Sequence, residues 1–301
     1  MAFSFRQLHI FCAVARTGST TTAAESISLS QSATSAALNE LEAQLGSQLF
    51  ERVGKRLHLN ETGRALLPQA LRLLDDVQQL QQQFGNAASM PANLAVAASS
   101  TIGNYVLPRL LASFQKTHPN IQVTINIANT GTVIDQVQGF DADVGLIEGP
   151  CRSPHLLVEP WLEDDLILVA APFHPFANQG RVSLEALRQA RWLLREDGSG
   201  TRDEVNHLLL PQLHYLPDTL VMGGSEAIKH SVAAGLGISC LSRWVVEEQL
   251  SCGSLIALSS DLPPLRRHFY LLRHGEKFVS PALERFWTCC ESFSSVNEAA
   301  S

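Results

Sequence analysis

Long apolar runs are missing from this sequence. No window approaches 18 consecutive apolar residues, and the first residues do not form a basic stretch followed by an apolar run and a small-residue cleavage site. These absences argue against a membrane-spanning helix, a secretion signal and any membrane partner. We expect the protein to stay in the cytoplasm.

Motifs for catalysis and for metal binding are also scarce. The ten histidines show no HExxH spacing, and the sequence contains no GxGxxG motif or P-loop. The stretch "DGSGT" around Ser199 differs from the GxSxG elbow of hydrolases. We therefore predict no enzyme, no metal and no cofactor, with a hydrolase kept as a less favoured alternative.

Cysteine pairs with CxxC spacing are absent as well. In a reducing compartment the six cysteines are interpreted as buried free thiols. Cys240 and Cys252 lie fairly close together in sequence but without CxxC spacing. Redox sensing stays an alternative.

Excess positive charge is missing from the chain as a whole, whose formal net charge is -7. Residues 1–64 nevertheless carry six Lys or Arg against five acids, a net charge of +1, so the other 237 residues carry -8. A polyanion would have to meet the N-terminal segment.

That segment carries three helical patterns. Apolar residues at helical spacing predict a first helix over residues 6–17 that ends at Gly18. A short second helix follows from Ser19 or Thr20 to Ile27, and a third runs from Gln31 to about Leu45 with Ser30 as its N-cap and Gly46 as its stop. Two short helices joined by a three-residue turn predict a helix-turn-helix.

The third helix has two different faces. Ala33, Ala37, Leu41 and Leu45 are expected to pack against the other helices. The other face has few apolar groups and many hydrogen-bonding groups, which suit base edges in a major groove. The candidate DNA-binding residues here are Ser30, Gln31, Ser32, Thr34, Ser35 and Asn39. A plain solvent-exposed polar face is the alternative.

A basic hairpin is predicted directly after this helix. Alternating Val53, Leu57 and Leu59 around Gly54 indicate two short strands. Arg52, Lys55 and Arg56 lie near the tip, where they would bind phosphates and supply the salt-dependent part of the affinity.

Residues 5–52, "FRQLHIFCAVARTGSTTTAAESISLSQSATSAALNELEAQLGSQLFER", resemble the winged helix-turn-helix of LysR-type transcriptional regulators. The following "LNETG" is close to that family's Leu-Thr-x-x-Gly. The resemblance implies a regulator of promoter DNA that forms homodimers and homotetramers, with RNA polymerase as a candidate partner. One departure is that many relatives carry Arg in the recognition helix, whereas this chain has no basic residue between Gln31 and Leu45.

A long helix is predicted to follow the hairpin. From Thr62 to Phe84, apolar residues recur at seven-residue spacing in the columns Leu66, Leu73, Leu80 and Ala70, Val77, Phe84. Pairing with a second copy would bury this stripe, and the resemblance implies the same dimerising linker. Pro68 is expected to kink the helix. The stretch "GNAASMPAN" then marks a domain boundary.

Strands and helices alternate over the rest of the chain, with strands predicted at "IQVTINIA", "DLILVAAP" and "RWLLR" among others, and this alternation predicts an α/β fold with parallel sheet. The expected organisation is a winged helix-turn-helix over 1–60, a linker helix over 61–88 and a two-lobed effector domain over 92–301. Lobe I would comprise about 92–162 and 266–295, and lobe II about 163–265. The resemblance implies an effector domain similar to bacterial periplasmic solute-binding proteins. A simple solute-binding protein is a less favoured alternative.

Polar runs at strand ends predict a ligand site in the cleft between these lobes. Glycines, free N–H groups and helix N-termini there could hold an anion. The candidate effector-binding residues are Ser99, Ser100, Thr101, Thr130, Glu148, Gly198, Ser199, Gly200, Thr201 and Arg202. Ordinary N-capping is the alternative for the Ser and Thr residues. A small oxoanion or carboxylate is the expected effector, and the runs also resemble the branch of the family tied to inorganic sulfur or carbon metabolism.

Two of these candidate residues, Arg202 and Glu148, carry a charge that would affect the choice of ligand. Arg202 is expected to be the charged donor of the site. Glu148 would either accept a proton from the ligand or from its contacts, or repel doubly charged anions, and its alternative role is a salt bridge to a nearby base such as Arg152.

Overall fold

The chain divides into two units, Met1–Met90 and Pro91–Ser301, and each is described by itself. The computed structural model describes residues 3–54, 56–84 and 92–298. Among these described residues, no helix is long and apolar enough to cross a membrane.

The N-terminal unit opens with three helices, α1 (Phe5–Thr17), α2 (Thr20–Ser26) and α3 (Gln31–Leu45). The Ser19 and Ser30 hydroxyls accept backbone N–H groups at the starts of α2 and α3. Gly18 and Gly46 end α1 and α3 with φ angles of 66° and 68°, the left-handed conformation that glycine adopts at low cost. The predicted helix-turn-helix and its caps are confirmed.

The packed face of α3 is rotated from the predicted one. Thr34, Leu38 and Leu41 are buried against α1 and α2, whereas Ala33 is exposed. Thr34 is fully buried, so its assignment to the DNA-binding surface is wrong: its side chain faces the core of this unit. The helix is rich in small residues on both faces, so its spacing alone did not distinguish the two orientations.

A two-stranded hairpin and a long helix complete this unit. Strands β1 (Phe50–Val53) and β2 (Arg56–Leu59) pair antiparallel, with Val53 opposite Arg56 across the turn. Helix α4 spans Glu61–Phe84. Gly63 in its first turn is packed so closely that a methyl group added to its Cα would overlap the Leu49 carbonyl oxygen. It continues without a break through Pro68.

The apolar stripe of α4 is partly covered. Ala70 is fully buried in the core of the N-terminal unit, and Leu66 and Val77 are partly buried. Leu73 and Leu80 are 43% and 56% exposed. The uncovered part of the stripe is therefore the part farther along the helix. The Phe84 side chain lies outside the described residues.

The second unit is built on a seven-stranded sheet, ordered β10-β6-β11-β5-β3-β4 with β9 also paired to β6. Strands β3 (Ala92–Ser99), β4 (Ile121–Ala128) and β5 (Val144–Glu148) are parallel, and β11 (Arg266–His274) runs antiparallel to β5. A π-helical turn (Ile102–Val106) and helices α5 (Leu107–Thr117), α6 (Thr130–Gln138) and α11 (Pro281–Glu298) pack around these strands. This is lobe I.

Strand β6 (Leu156–Ala170) connects the lobes. Its residues 156–165 pair with β11, whereas residues 166–170 pair with β9 (Ser239–Ser242) and β10 (Ile256–Ala257). The change of partner lies near the predicted lobe boundary at residue 163. Strand β11 returns the chain to lobe I at the other predicted boundary.

Lobe II has a core of its own around Trp192. Strands β7 (Arg191–Arg195) and β8 (Asp218–Met222) pair in parallel, and Trp192 bridges to Ile238 beside β9. The helices of this lobe are α7 (Leu184–Gln189), α8 (Gly200–Leu213), α9 (Ser225–Ala233) and α10 (Arg243–Ser251), with a short 3-10 helix at Pro175–Asn178. The predicted two-lobed α/β domain is confirmed. The starts of α8 and α9 and the ends of β3 and β5 carry or adjoin most of the predicted effector-binding residues.

Candidate DNA interface and effector cleft

The exposed face of α3 begins at the N-terminal end of the helix. Ser30, Gln31, Ser32 and Asn39 are exposed, and Ser35 is partly buried. The Gln31 side-chain amide donates to the Thr20 hydroxyl of α2 over 3.4 Å, so the neighbouring helix helps to orient it. These five side chains carry amide and hydroxyl groups, which are chemically suited to base edges, although the Ser30 hydroxyl also caps α3.

The hairpin that follows α3 in the chain carries two arginines. Arg52 on β1 and Arg56 on β2 are both exposed, and the Val53–Arg56 pair closes the turn between the strands. Gly54 in the turn has a φ angle of 64°, which favours glycine. Lys55, the third predicted phosphate-binding residue, lies outside the described residues.

The predicted effector-site residues of the two lobes meet around the buried carboxylate of Glu148 at the end of β5. Its Oε1 accepts the Thr101 backbone N–H over 2.9 Å, and its Oε2 accepts the Thr201 hydroxyl of lobe II and the Arg267 Nη1 group, the latter over 2.9 Å. Both oxygens are engaged, so Glu148 holds Thr101 and Thr201 in place across the two lobes. Its partner is Arg267 on β11, not the Arg152 considered from the sequence.

Arg267 is itself fully buried and bridges two acids. Its Nε donates to Asp164 Oδ2 over 2.7 Å, and Asp164 also accepts the Ser242 hydroxyl over 2.7 Å. Burial raises the pKa of Asp164 despite the nearby guanidinium. Burial would also raise the pKa of Glu148, but Arg267 and the hydrogen bonds from Thr201 and Thr101 lower it to about 2. Glu148 is therefore ionised at neutral pH.

A glutamine at position 148 should reveal this pKa shift through the pH dependence of stability. The folded pKa of about 2 lies below the ordinary value of 4.5, so ionised Glu148 stabilises the fold above pH 4.5 and this contribution is lost as the pH falls towards 2. We expect Glu148→Gln to lower the unfolding midpoint most at pH 7, with a smaller difference from the wild type at pH 3. Thermal unfolding followed by tryptophan fluorescence checks this. Exposed Glu185→Gln is the control, and a pH-independent difference would contradict the assignment.

Two polar runs, around Thr130 and around Gly200, meet near Glu148. The Thr130 hydroxyl accepts the Gly200 N–H over 3.2 Å, and the Gly131 N–H donates to the Gly198 carbonyl over 3.0 Å. A methyl group at Gly200 would overlap the Glu148 carbonyl oxygen, so the start of α8 approaches lobe I in a way that a side chain would prevent. Thr130, Gly198 and Gly200 thus join the lobes. Ser199 is buried at the start of α8, but its hydroxyl does not cap that helix.

Several buried polar atoms of the cleft have no protein partner among the residues that the structure describes. They are Ser99 Oγ, Thr101 Oγ1, Arg202 Nε and Arg267 Nη2. Buried polar groups normally have hydrogen-bond partners, so each of these atoms calls for a physical explanation. Ser99 and Thr101 are each 1% exposed at the end of β3.

Sequence reasoning missed a buried arginine in this region. Arg195 ends β7, and its Nη1 donates to the Ser225 hydroxyl over 2.9 Å while its Nη2 donates to the Ser100 hydroxyl over 3.4 Å. Arg202, predicted as the charged donor, instead donates from Nη1 to the Arg195 carbonyl over 3.3 Å. The available signal was an Arg that closes an apolar strand, "RWLLR", directly before an acid.

The cysteines of lobe II differ strongly in environment. Cys240 is buried in β9, and burial raises the pKa of its thiol to about 12, so it holds its proton at neutral pH. Cys252 lies on the surface after α10, where hydrogen bonding with Ser254 lowers the pKa of its thiol. A redox switch that needs two reactive thiolates in this lobe is therefore disfavoured.

Two family models match the chain along the same division. One is described as "Bacterial regulatory helix-turn-helix protein, lysR family" and matches residues 5–64; the other, "LysR substrate binding domain", matches residues 89–294. The chain is also 47% identical over 293 residues to the uncharacterized HTH-type transcriptional regulator YeiE of Escherichia coli (strain K12), covering 97% of this chain and 98% of that protein.

Solved structures share the fold. Full-length OxyR from Pseudomonas aeruginosa matches with a TM-score of 0.80 and 23% identity, covering 98% of this chain and 97% of that chain. The regulatory domain of CcmR from Synechocystis, solved in complex with 2-PG, matches with a TM-score of 0.61 and 29% identity, covering 67% of this chain and 97% of that chain.

Proposed function

The chain belongs to the LysR family of bacterial transcriptional regulators, and from that membership we propose that a small oxoanion or a short carboxylate, bound between the two lobes, is the ligand that switches it. The membership itself gives the broader function. The protein is a ligand-responsive transcriptional regulator that binds DNA, and it is not an enzyme.

The observation that carries the proposal is the pair of buried, unpartnered hydroxyls of Ser99 and Thr101. They lie at the carboxyl end of β3, the edge of a parallel sheet at which α/β proteins bind ligands. The start of α8, with Ser199 and Gly200, is joined to the same place through Glu148 and Thr130. Hydroxyl groups and helix N-terminal N–H groups are suitable partners for the oxygens of a compact anion.

The charges of the site favour recognition through neutral donors. Arg267 is neutralised by Glu148 and Asp164 inside the protein. Glu148 has both oxygens occupied, so we propose that it positions Thr101 and Thr201 and does not itself contact the ligand. The CcmR regulatory domain, similar over two thirds of this chain, was solved with 2-PG, which supports a small ligand for this domain type. An inorganic sulfur species is the oxoanion we favour.

We further propose that the protein acts as a homodimer that assembles into a homotetramer on promoter DNA. The exposed Leu73 and Leu80 of α4 are the apolar residues that a second copy would cover. On DNA, the exposed residues of α3 would read bases, whereas Arg52, Lys55 and Arg56 would bind phosphates. Contact with RNA polymerase is part of the same proposal. Closure of the lobes on the ligand would shift the population of DNA-binding states.

A panel of anions would test the ligand. The full-length protein is unfolded by heat with sulfate, sulfite, thiosulfate, phosphate, nitrate or short carboxylates, and tryptophan fluorescence reports the effector domain, which holds all four tryptophans. A ligand that binds the folded state at a hundredfold excess over its Kd should add about 2.7 kcal/mol of stability. We expect one anion to act in this way.

The same measurement distinguishes a site from a general salt effect. The stabilisation should be lost in Thr101→Ala and Ser199→Ala and kept in Ser251→Ala, which removes an exposed hydroxyl of α10. If no anion stabilises the wild type, or if all three variants respond equally, the anion site is wrong and the Ser and Thr residues have structural roles.

A further inference from the structure

Arg195 and the residue after it form a close ion pair beside the proposed ligand site. The Arg195 side chain is 2% exposed, and its Nε and Nη2 donate to the two carboxylate oxygens of Glu196 over 2.7 and 2.8 Å. Its remaining contacts are the hydroxyls of Ser100 in lobe I and Ser225 in lobe II. Ser100 lies between Ser99 and Thr101, so the guanidinium group borders the residues proposed to bind the effector.

The geometry of this pair is the one by which arginine binds a carboxylate ligand. Two parallel N–H groups meet two carboxylate oxygens, which is a strong and directional arrangement. The acid is on the outer side of the pair, because the Glu196 side chain is 26% exposed whereas that of Arg195 is 2% exposed. Glu196 therefore fills the position that a ligand carboxylate would take on Arg195.

A second buried cation near the cleft is neutralised in the same way. The Lys229 ammonium group donates to the Tyr105 hydroxyl of lobe I over 3.0 Å and pairs with Glu226 of its own helix over 2.7 Å. The Lys229 side chain is 6% exposed, and that of Glu226 is 52% exposed. Each of these lobe II cations touches a lobe I hydroxyl, and each is already balanced by an acid of lobe II.

We infer that Glu196 determines which anions the cleft accepts: by occupying Arg195 it admits a compact anion and excludes an anion that carries a second, separated carboxylate. This inference rests on the proposed function. A ligand held by Ser99, Thr101 and the start of α8 would direct a second carboxylate towards Ser100 and Arg195. That group would meet the Glu196 carboxylate, and two like charges at short distance in a partly buried site repel each other strongly. Removal of the Glu196 charge would free the Arg195 guanidinium for the ligand.

Two probes of equal charge test this inference. Sulfate and malonate are both dianions near neutral pH, but sulfate is compact whereas malonate carries two separated carboxylates. The full-length wild type, Glu196→Gln and Glu185→Gln are titrated with each anion, and the midpoint of thermal unfolding gives the apparent Kd. Glu185→Gln is the matched control, because it removes an acid that pairs with an arginine of lobe II at α7.

We expect the wild type to bind malonate at least tenfold more weakly than sulfate. Glu196→Gln should bind malonate at least tenfold more tightly than the wild type does, with sulfate affinity changed by less than about threefold, and Glu185→Gln should match the wild type. The double variant Arg195→Gln with Glu196→Gln should lose the gain for malonate, which shows that the gain depends on the freed guanidinium.

The outcomes separate this inference from the proposed function. If sulfate or another compact anion stabilises the wild type but Glu196→Gln gains nothing for malonate, the role of Glu196 is overturned and the anion site stands. A gain that persists in the double variant also overturns it. If no anion of either kind affects any of the proteins, both proposals fail.

Discussion

Replacement of Arg267 with methionine is expected to destabilise the effector domain by about 3–5 kcal/mol, because it leaves the buried carboxylates of Glu148 and Asp164 without their counterion. Methionine keeps much of the side-chain length and apolar packing, so the loss should come from charge and hydrogen bonding. Urea unfolding of the full-length protein, followed by tryptophan fluorescence, gives the free energy for the effector domain alone.

The neighbouring residue supplies a matched control. Arg266 also faces an acid, Asp165, but its side chain is 70% exposed, so Arg266→Met should cost at most about 1 kcal/mol. A triple variant that also carries Glu148→Gln and Asp164→Asn should recover part of the stability lost in Arg267→Met, because the uncompensated charges are gone. Equal effects of Arg266→Met and Arg267→Met would contradict the role of the buried cluster.

This cluster also gives the two lobes a common centre. Glu148 and Thr101 belong to lobe I, whereas Thr201 and Ser242 belong to lobe II, and Arg267 and Asp164 lie on the two strands that connect the lobes. A ligand that moves Thr101 or Thr201 therefore acts on groups bonded to the connecting strands. If the effector binds at Thr101 or Thr201 as proposed, this arrangement would couple its binding to the relative position of the lobes.

The sequence alone predicted the features that depend on local chemistry. Ser30 and Gly46 were correct as the two ends of α3, because a serine N-cap and a left-handed glycine act within one helical turn. The strands "IQVTINIA" and "RWLLR" were also correct to the residue, as β4 and β7. In these cases a strongly apolar or β-branched run is bounded by turn residues, and that pattern is sufficient to predict a strand.

The features that were missed depend on contacts between distant residues. Arg267 lies 119 residues from Glu148, and no local pattern connects them. The predicted strand began at Asp165 and missed the first half of β6, because that half contains Pro160 and several acids and lacks the apolar run of the second half. Thr34 was assigned to the wrong face because a helix of small residues has little amphipathic signal. In each case contacts made in the folded protein determined the structure, and the spacing of residues in the sequence does not reveal those contacts.

The hairpin arginines are expected to supply most of the charge-dependent DNA affinity. In a dimer, Arg52→Ala with Arg56→Ala removes four cations from the DNA-binding surface. If each contacts a phosphate, the slope of log K against log salt should become shallower by roughly 3.6, and affinity near 0.15 M salt should fall by roughly a hundredfold to a thousandfold. Band-shift titrations on a promoter fragment at two salt concentrations measure both quantities.

The control removes the same charge from elsewhere in the chain. Arg152→Ala with Arg285→Ala takes two exposed arginines from the effector domain, so the net charge changes equally while the hairpin is intact. This variant should keep nearly the wild-type slope. If the two double variants lower affinity to the same extent, the effect is one of net charge and the hairpin is not the phosphate-binding element.

Because of the composition of α3, the salt slope tests how the DNA affinity is divided between the hairpin and this helix. No lysine or arginine lies between Gln31 and Leu45, so the helix offers amides and hydroxyls to the bases but no fixed positive charge. Substituting Gln31 or Asn39 should therefore change the preference for sequence and leave the salt slope nearly unchanged, because base contacts release few counterions. If both results are obtained, the hairpin supplies the phosphate binding and α3 supplies the sequence preference.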